Sequence, residues 1–513
     1  MQKTAYSRAE VWESIGHTRG RPLDSEAVYE KLVQRVRAAG GFVSHKMARA
    51  VVPPLNVAGL VALEPIADGE ELVRIPTRLH ISPGSVKELL PQLCGELKKV
   101  SATVPDFDDD RCKKSGMSIF MAHMIAAAEE RCLHEAELEC ASHICNGVPS
   151  EMRERLGDEA VWQVWESYAD ELLGLDFSSH PYHTGALDPA LCQAAFEPSS
   201  EGFETIRSLK HWEDTFHRLK EHCSPEVLGA HFNEARLFFH TKMCFMTRAF
   251  QLLPDSSWVP LVDDFNHSAI PGVWYYQAED GTVVAKASRS HAPGEELFDS
   301  YGARPNPNLY CTYGFTVPPE QEPVWSCEVL PAHVHDIYEM YLLQPERHEE
   351  RMLQLSSGSF SESLCSVLNA AAEKSDVQGA GEFLSLVCAR CISLYRCDEQ
   401  LLPALDALER ARAKQPASYA WWDELAEEHS NLFVQDTVRV KMSEYLCLTA
   451  HVEGILCAEG LKSEDDCLAK GAPLRQLISS SLDLLKAGGC LVPENAPVFQ
   501  PYKPADVDIK RIR

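Results

Sequence analysis

Two β-rich blocks, held apart by a long helical stretch, constrain this chain more than any other feature. The first block covers residues 41 to about 83 and the second covers 258–317. Between them, from about 87 to 247, apolar residues recur at helical spacing. Strands and helices are segregated rather than alternating, so the expected class is α+β: a β-rich domain split by a helical insert, followed by an all-α domain. In the first block Gly59-Leu60-Val61-Ala62 and Glu71-Leu72-Val73-Arg74-Ile75 read as strands, and Pro76 stops the second because it cannot donate to a ladder. In the second block Val273-Trp274-Tyr275-Tyr276 and Thr282-Val283-Val284-Ala285 flank Asp280-Gly281, a strong hairpin signal. One segment also repeats. Asp68-Gly69-Glu70-Glu71-Leu72 is echoed by Pro293-Gly294-Glu295-Glu296-Leu297, each reading as a glycine turn that feeds a strand.

The helical stretch carries Met117, Phe120, Met121, Met124 and Ile125 on one face, and later Phe216, Leu219 and Lys220. The Asp-rich run 106–110 reads as a solvated loop. Beyond Pro318-Pro319 the helical pattern resumes to about 486. One apolar stripe is Leu401, Leu402, Leu405 and Leu408; a second is Leu474, Leu477, Ile478, Leu482 and Leu485, with Pro473 placed to start a helix. A chain of 513 residues exceeds one hydrophobic core. The expected division is an extension with one helix (1–35), a split β-rich domain (36–318, with blocks 36–86, 87–247 and 248–318), a helical domain (319–492) and a Pro-rich extended tail (493–513).

The formal charge is −28, from 76 acidic and 48 basic side chains. No basic face of the kind that nucleic acid requires stands out. The charge keeps a large chain soluble and favours encounter with basic partners. The 18 cysteines are spread along the chain and read as free thiols in a reducing compartment. No apolar run approaches membrane-spanning length. A cytoplasmic or nuclear monomer is expected; Arg8, Arg19 and Arg21 near the start leave a plastid or mitochondrial address open, while Glu10, Glu13 and Asp24 lean against it. Cys388 and Cys391 form a lone pair on a helix, and a zinc site of that type needs a second pair. Asp263, Asp264 and His267 are residue types that suit a divalent ion, yet no second cluster accompanies them, so no metal is expected. Neither a Gly-rich dinucleotide fingerprint nor a phosphate-loop lysine is present.

The chemistry-bearing residues gather in three segments of the second block: Pro260-Leu261-Val262-Asp263-Asp264-Phe265-Asn266-His267, then Gly294-Glu295-Glu296 with Tyr301-Gly302, then Asn306-Pro307-Asn308-Leu309 with Tyr313-Gly314-Phe315. In this order they resemble the C-terminal half of the SET domain in the family of Rubisco large-subunit lysine methyltransferase and its relatives. Thr247-Arg248-Ala249-Phe250 is similar to that family's Ser-Arg-x-Phe, and 59–76 to its N-terminal half. The helical insert and the helices after Phe315 match the family's insert and its C-terminal substrate-binding domain.

The resemblance implies an S-adenosylmethionine-dependent protein methyltransferase. Tyr301 would be the catalytic residue that orients the acceptor amine. The cofactor would be held by Val57, Ala58, Gly59, Arg248, Asn266, His267, Tyr313 and Phe315, with Arg248 pairing with its carboxylate. Asp263, Tyr301 and Tyr313 would face the protein substrate. Val57 stands where the family commonly has a glycine, a departure that bears on close backbone approach. A lysine of a non-histone protein is the expected acceptor. Histidine methylation in the same family, and a non-catalytic binding module, are the alternatives.

Overall fold

The computed structural model describes residues 12, 25–52, 57–104, 107–137, 148–229, 232, 235–319, 321–340, 353–356, 380–414, 422, 431–458 and 479–484. The extension before residue 25 (Trp12 apart), Leu474, Leu477, Ile478 and Leu485 of the second stripe, and the tail 493–513 lie outside the described residues. Chain contacts define two compact units, Met1–Ser178 with Ser208–Gly302, and Ser179–Arg207 with Ala303–Arg513.

In the first unit, helix α1 (Ser25–Ala38) precedes strands β1 (Phe42–Val43), β2 (Met47–Val52), β3 (Val57–Ala62) and β4 (Glu71–Ile75). Helices α2 (Asp109–Glu137), α3 (Glu159–Leu173) and α4 (Ala235–Arg248) follow, then β5 (Asn266–His267), β6 (Val273–Gln277), β7 (Val283–Ala287) and β8 (Phe298–Asp299). The two β blocks merge. One sheet has the order β1-β4-β7-β6, so β4 of the first block pairs antiparallel with β7 of the second, Ile75 opposite Val283. The β6–β7 hairpin forms in the expected register, Tyr275 opposite Ala285. Its turn needs Gly281, whose φ of 83° is left-handed and whose Cβ would lie 2.6 Å from Thr77 Oγ1. Thr77 Oγ1 donates to Asp280 O at 2.7 Å, tying the end of β4 to this turn.

Strand β3 pairs with β2 on one edge, and on the other meets the segment after Gly294. Ala62 N donates to Glu295 O at 2.9 Å and Leu297 N to Leu60 O at 2.8 Å. The sequence echo is therefore a structural repeat. Gly69 and Gly294 both have positive φ, 76° and 83°. Glu70 Oε2 accepts from Ala67 N at 3.0 Å, and Glu295 Oε2 accepts from Ala292 N at 3.1 Å, so each turn is closed by the glutamate after its glycine. The Ala67 bond, helped by Lys46, holds the Glu70 carboxyl below its ordinary range, and Arg289, helped by the Ala292 bond, does the same for Glu295.

The helical insert closes over this framework with apolar faces. Met117, Phe120, Met121, Met124 and Ile125 of α2 are all buried, and Phe120 meets Trp165 of α3 edge-on at 5.8 Å. Trp12 stacks on Phe239 at 5.4 Å. Lys220 departs from its neighbours: Phe216 and Leu219 are buried, while Lys220 is exposed, with its ammonium 5.5 Å over the Phe216 ring. The Asp-rich run is not wholly a loop. Asp109 and Asp110 occupy the first turn of α2, where negative charge is favoured by the helix dipole.

The second unit contains α5 (Asn306–Tyr313), β9 (Ser326–Val329), β10 (Leu353–Ser356), α6 (Ala380–Arg396), α7 (Leu402–Lys414) and α8 (Leu432–Ala458). Two expectations are corrected here. Residues 306–313, read as part of the second β block, are a helix, because Pro307 suits its first turn and Gly314 ends it with φ 82°. The domain read as all-helical also holds a two-stranded antiparallel sheet, Leu353 opposite Val329. Leu401, Leu405 and Leu408 are buried, with Leu402 half-buried, and Cys388 and Cys391 lie in the same core, where burial pushes the Cys391 thiol up to about 12. Helix α8 is buried nearly all round, and its Glu444 is covered completely, accepting from Tyr395 Oη at 2.7 Å and Ser199 Oγ at 3.0 Å. Among the described residues no helix is long and apolar enough to cross a membrane.

Candidate active site

Three residues far apart in sequence meet where β3 passes β5. Asn266 Nδ2 donates to Ala58 O at 3.2 Å and to Glu296 Oε1 at 2.8 Å. Both partners are acceptors, which fixes the amide: Nδ2 faces β3 and Oδ1 faces away. Gly59 is what permits the approach. A Cβ there would lie 2.5 Å from Asn266 Nδ2 and closer still to Glu296 Oε1. The glycine that matters is thus Gly59, one strand position beyond Ala58. Val57 contributes backbone to β3, paired with Val52.

Asn266 and His267 form β5, which pairs in parallel with β8, His267 opposite Asp299. That pairing brings Tyr301, two residues after β8, onto His267. The rings lie tilted against one another with centroids 5.2 Å apart, and Tyr301 N donates to His267 Nδ1 at 3.0 Å. Since Nδ1 accepts, a neutral His267 carries its proton on Nε2. The Tyr301 hydroxyl donates to Phe265 O at 3.0 Å, so its oxygen lone pairs are left to accept.

Behind this surface lies a buried charge cluster. The turn that carries Asp263 and Asp264 begins at Leu261, whose φ of 69° is left-handed and which is fully buried. A branched residue in that region costs about 1–3 kcal/mol, so the surrounding packing must enforce it. Arg248, at the end of α4, donates through Nη1 to Asp263 O (3.3 Å), Asp263 Oδ2 (3.1 Å) and Asp264 Oδ1 (3.2 Å). Tyr168 of α3 donates to Asp263 Oδ2 at 2.7 Å. Arg49 of β2 pairs with Glu171 of α3 and stands 3.8 Å from Asp264 Oδ1.

Two guanidinium groups thus face three carboxyls. Glu171 Oε2 and Asp264 Oδ2 are both buried with no hydrogen-bond partner among the described residues. Burial, then the charge of Asp264, pushes the Glu171 carboxyl well up. Arg49 and Arg248 overcome the burial of Asp264 and hold it down. Burial also raises Asp263 to about 6, against the pull of Arg248.

This placement changes the expectation for Asp263. Its side chain is 1% exposed, held by Tyr168 and Arg248, so it braces the site from behind instead of presenting an open carboxylate. Sequence reading gave no sign of Tyr168, Glu171 and Arg49 as parts of this constellation; Glu296 and Asp264 stood inside the motif segments without a role of their own. Tyr313 and Phe315 belong to the second unit, where their ring centroids are 6.1 Å apart and Arg304 lies 5.7 Å over the Tyr313 ring. Among the described residues, no group of three or more His, Cys, Asp or Glu side chains is arranged to hold a metal.

Asp299 supplies a pH test of the frame. It is 5% exposed, and burial raises its carboxyl from the ordinary 3.8 to about 6 despite a bond from Ser300 N. A raised carboxyl stabilises the fold while protonated. That contribution is full below about pH 4 and is lost as pH rises through about 6. Asp299→Asn is expected to add about 1–3 kcal/mol at pH 8 and almost nothing at pH 4, read by urea unfolding at both values. An equal change at both pH values would show that Asp299 is not the titrating group.

The site's neighbourhood matches a known family. Residues 57–302 match the model of the SET domain family. No curated protein matches the chain. Among solved structures it is similar to the SET domain of LSMT bound to lysine and AdoHcy, with 14% identity, a TM-score of 0.51, and coverage of 85% of this chain and 92% of that one. It is similar also to Rubisco LSMT bound to sinefungin and monomethyllysine, with 15% identity, a TM-score of 0.51, and coverage of 86% and 94%. Residues 57–302 thus match a SET domain, and the chain shares the fold of the Rubisco LSMT structures.

Proposed function

We propose that the chain is an S-adenosylmethionine-dependent protein methyltransferase whose acceptor is a lysine side chain of a non-histone protein. The observation that carries this reading is the join of β5 to β8. It sets Asn266, the cofactor-side residue of the motif, beside the His267–Tyr301 pair on one short parallel ladder. The LSMT structures with this fold hold AdoHcy or sinefungin together with lysine or monomethyllysine.

The residues present fit such a cofactor. Gly59 opens a cradle that a side chain would fill, and Asn266 Oδ1 and Glu296 offer acceptors beside it. Arg248 makes its described hydrogen bonds through Nη1, which leaves Nη2 for a ligand carboxylate. When bound, the cofactor supplies an electrophilic methyl group on a sulfonium. The protein's task is then to bring a neutral amine in line and keep water out. Tyr301 is suited to that task. Its hydroxyl proton is committed to Phe265 O, so its oxygen can accept only from an amine N–H and holds the nitrogen lone pair toward the methyl.

Tyr301→Phe tests the assignment. It removes the accepting oxygen and keeps the ring on His267. Methyl transfer from labelled cofactor to a lysate substrate is expected to fall at least about tenfold, with AdoHcy affinity within about twofold of the parent. Mass spectrometry of the product reads the acceptor. Full activity in Tyr301→Phe would remove Tyr301 from the mechanism, and a methylated histidine would replace lysine as the acceptor.

A further inference from the structure

We propose that Glu296 is the specificity residue for the cofactor's amino-acid tail, its carboxylate being the anionic partner of the α-ammonium. This inference rests on the cofactor reading above and extends it to a residue outside the recognised motif positions for cofactor contact.

The repeated turn puts two glutamates in corresponding places. Glu71 and Glu296 are equivalent in the two copies, yet their side chains do different things. Glu71 is spent on a surface ion pair with Arg74 at 2.8 Å, three residues on along the same strand. Glu296 sits opposite Val61 in an antiparallel bridge, and its carboxylate reaches across β3 to Gly59 and Asn266. Among the described residues it has no lysine, arginine or histidine partner; its described hydrogen bond is the one from the Asn266 amide. A half-buried carboxylate with only a neutral donor is an incomplete arrangement, because a neutral amide compensates little of the cost of removing an ion from water. Burial accordingly pushes its carboxyl up, with the Asn266 bond opposing.

The polarity of its surroundings says what completes it. Asn266 spends Nδ2 on Ala58 O and Glu296 Oε1, which turns Oδ1 outward as an acceptor. Glu296 Oε2 is a second acceptor, and it carries the charge. A group that meets both must be a cationic donor with several N–H bonds, which describes an ammonium and excludes a carboxylate or phosphate. The guanidinium of Arg248 complements the other charge of a zwitterionic tail. Glu296 also acts on Asn266: with its carboxylate on Nδ2, the amide cannot flip to offer a donor.

Calorimetry with two ligands isolates the claim. AdoHcy carries the ammonium but no sulfonium charge, so any charge effect reports the tail. 5′-Methylthioadenosine has the same adenosine and thioether without the tail. Glu296→Gln keeps the size and an acceptor for Asn266 but removes the charge. It is expected to weaken AdoHcy binding about tenfold and leave methylthioadenosine binding within about twofold. Glu296→Ala, which also releases the Asn266 amide, is expected to weaken AdoHcy further with methylthioadenosine again little changed. AdoHcy binding by Glu296→Gln equal to the parent overturns the proposal, and so does an equal loss for both ligands, which would mark a structural role. If the parent protein binds neither ligand, the cofactor reading itself fails, a result distinct from either. Thermal melts of both variants confirm that the compared proteins are folded, and the near-isosteric Gln variant carries the test if the Ala variant does not fold.

Discussion

Asp264→Ala is expected to lower the unfolding free energy by about 3–5 kcal/mol at pH 7, the largest stability effect of any single change at this site. The carboxylate is buried, accepts from Arg248 at 3.2 Å and faces Arg49 at 3.8 Å. Its removal strands one positive charge among Arg49, Arg248 and Asp263, and that uncompensated charge is what costs. Glu171→Gln gives the contrast. Burial and the charge of Asp264 push the Glu171 carboxyl well up, so an amide can take its place and still accept from Arg49. Its cost is expected to stay within about 1 kcal/mol. Urea unfolding of both variants reads the difference. Equal losses would mean that Glu171 is ionised in the fold.

Gly59→Ala is expected to abolish measurable AdoHcy binding, weakening it at least about thirtyfold, while leaving the fold largely intact. The new methyl would lie 2.5 Å from Asn266 Nδ2 and nearer still to Glu296 Oε1. The Glu296 carboxylate can swing aside, being the end of a flexible chain. Asn266 is shorter and is anchored to Ala58 O, so it must tilt and lose its orientation. Both changes fall on the ligand side of β3, whose own pairing to β2 is untouched. The melting temperature is therefore expected to drop by only a few degrees, roughly the equivalent of 1 kcal/mol. Unchanged AdoHcy affinity would show that this cradle is not the cofactor's.

Much of this was legible in the sequence wherever the signal is local. The β6–β7 hairpin announces itself through Asp280-Gly281, and β4 ends at Pro76 as its chemistry requires. The repeated Gly-Glu-Glu turn was visible as text, and its two copies have the same closing hydrogen bonds. Residues 306–313 were misread because Pro305 and Pro307 look like turn residues; one of them sits where a helix tolerates proline, and Gly314 was its stop signal. The charge cluster was not legible. Arg49 and Glu171 are 122 residues apart, and Tyr168 and Asp263 are 95 apart, so no spacing rule joins them. Only the docking of α3 against the two β blocks creates that neighbourhood. The same holds for Val57. At Val57 the sequence departs from the family's glycine, while the tight approach of side chains to the backbone occurs at Gly59.

The merging of the two β blocks also has a meaning in time. Thr77 ends up bonded to Asp280, 203 residues further along the chain. At a synthesis rate of about 5–20 residues per second, the first block leaves the ribosome about 10–40 s before its partner strand exists. Throughout that interval the β4 edge is open to any other extended chain. The insert helices, rich in local contacts, can fold meanwhile and are the natural cover for it. The site is thus assembled only once the second block has emerged, and crowding among nascent chains bears on the yield of this protein before any ligand does.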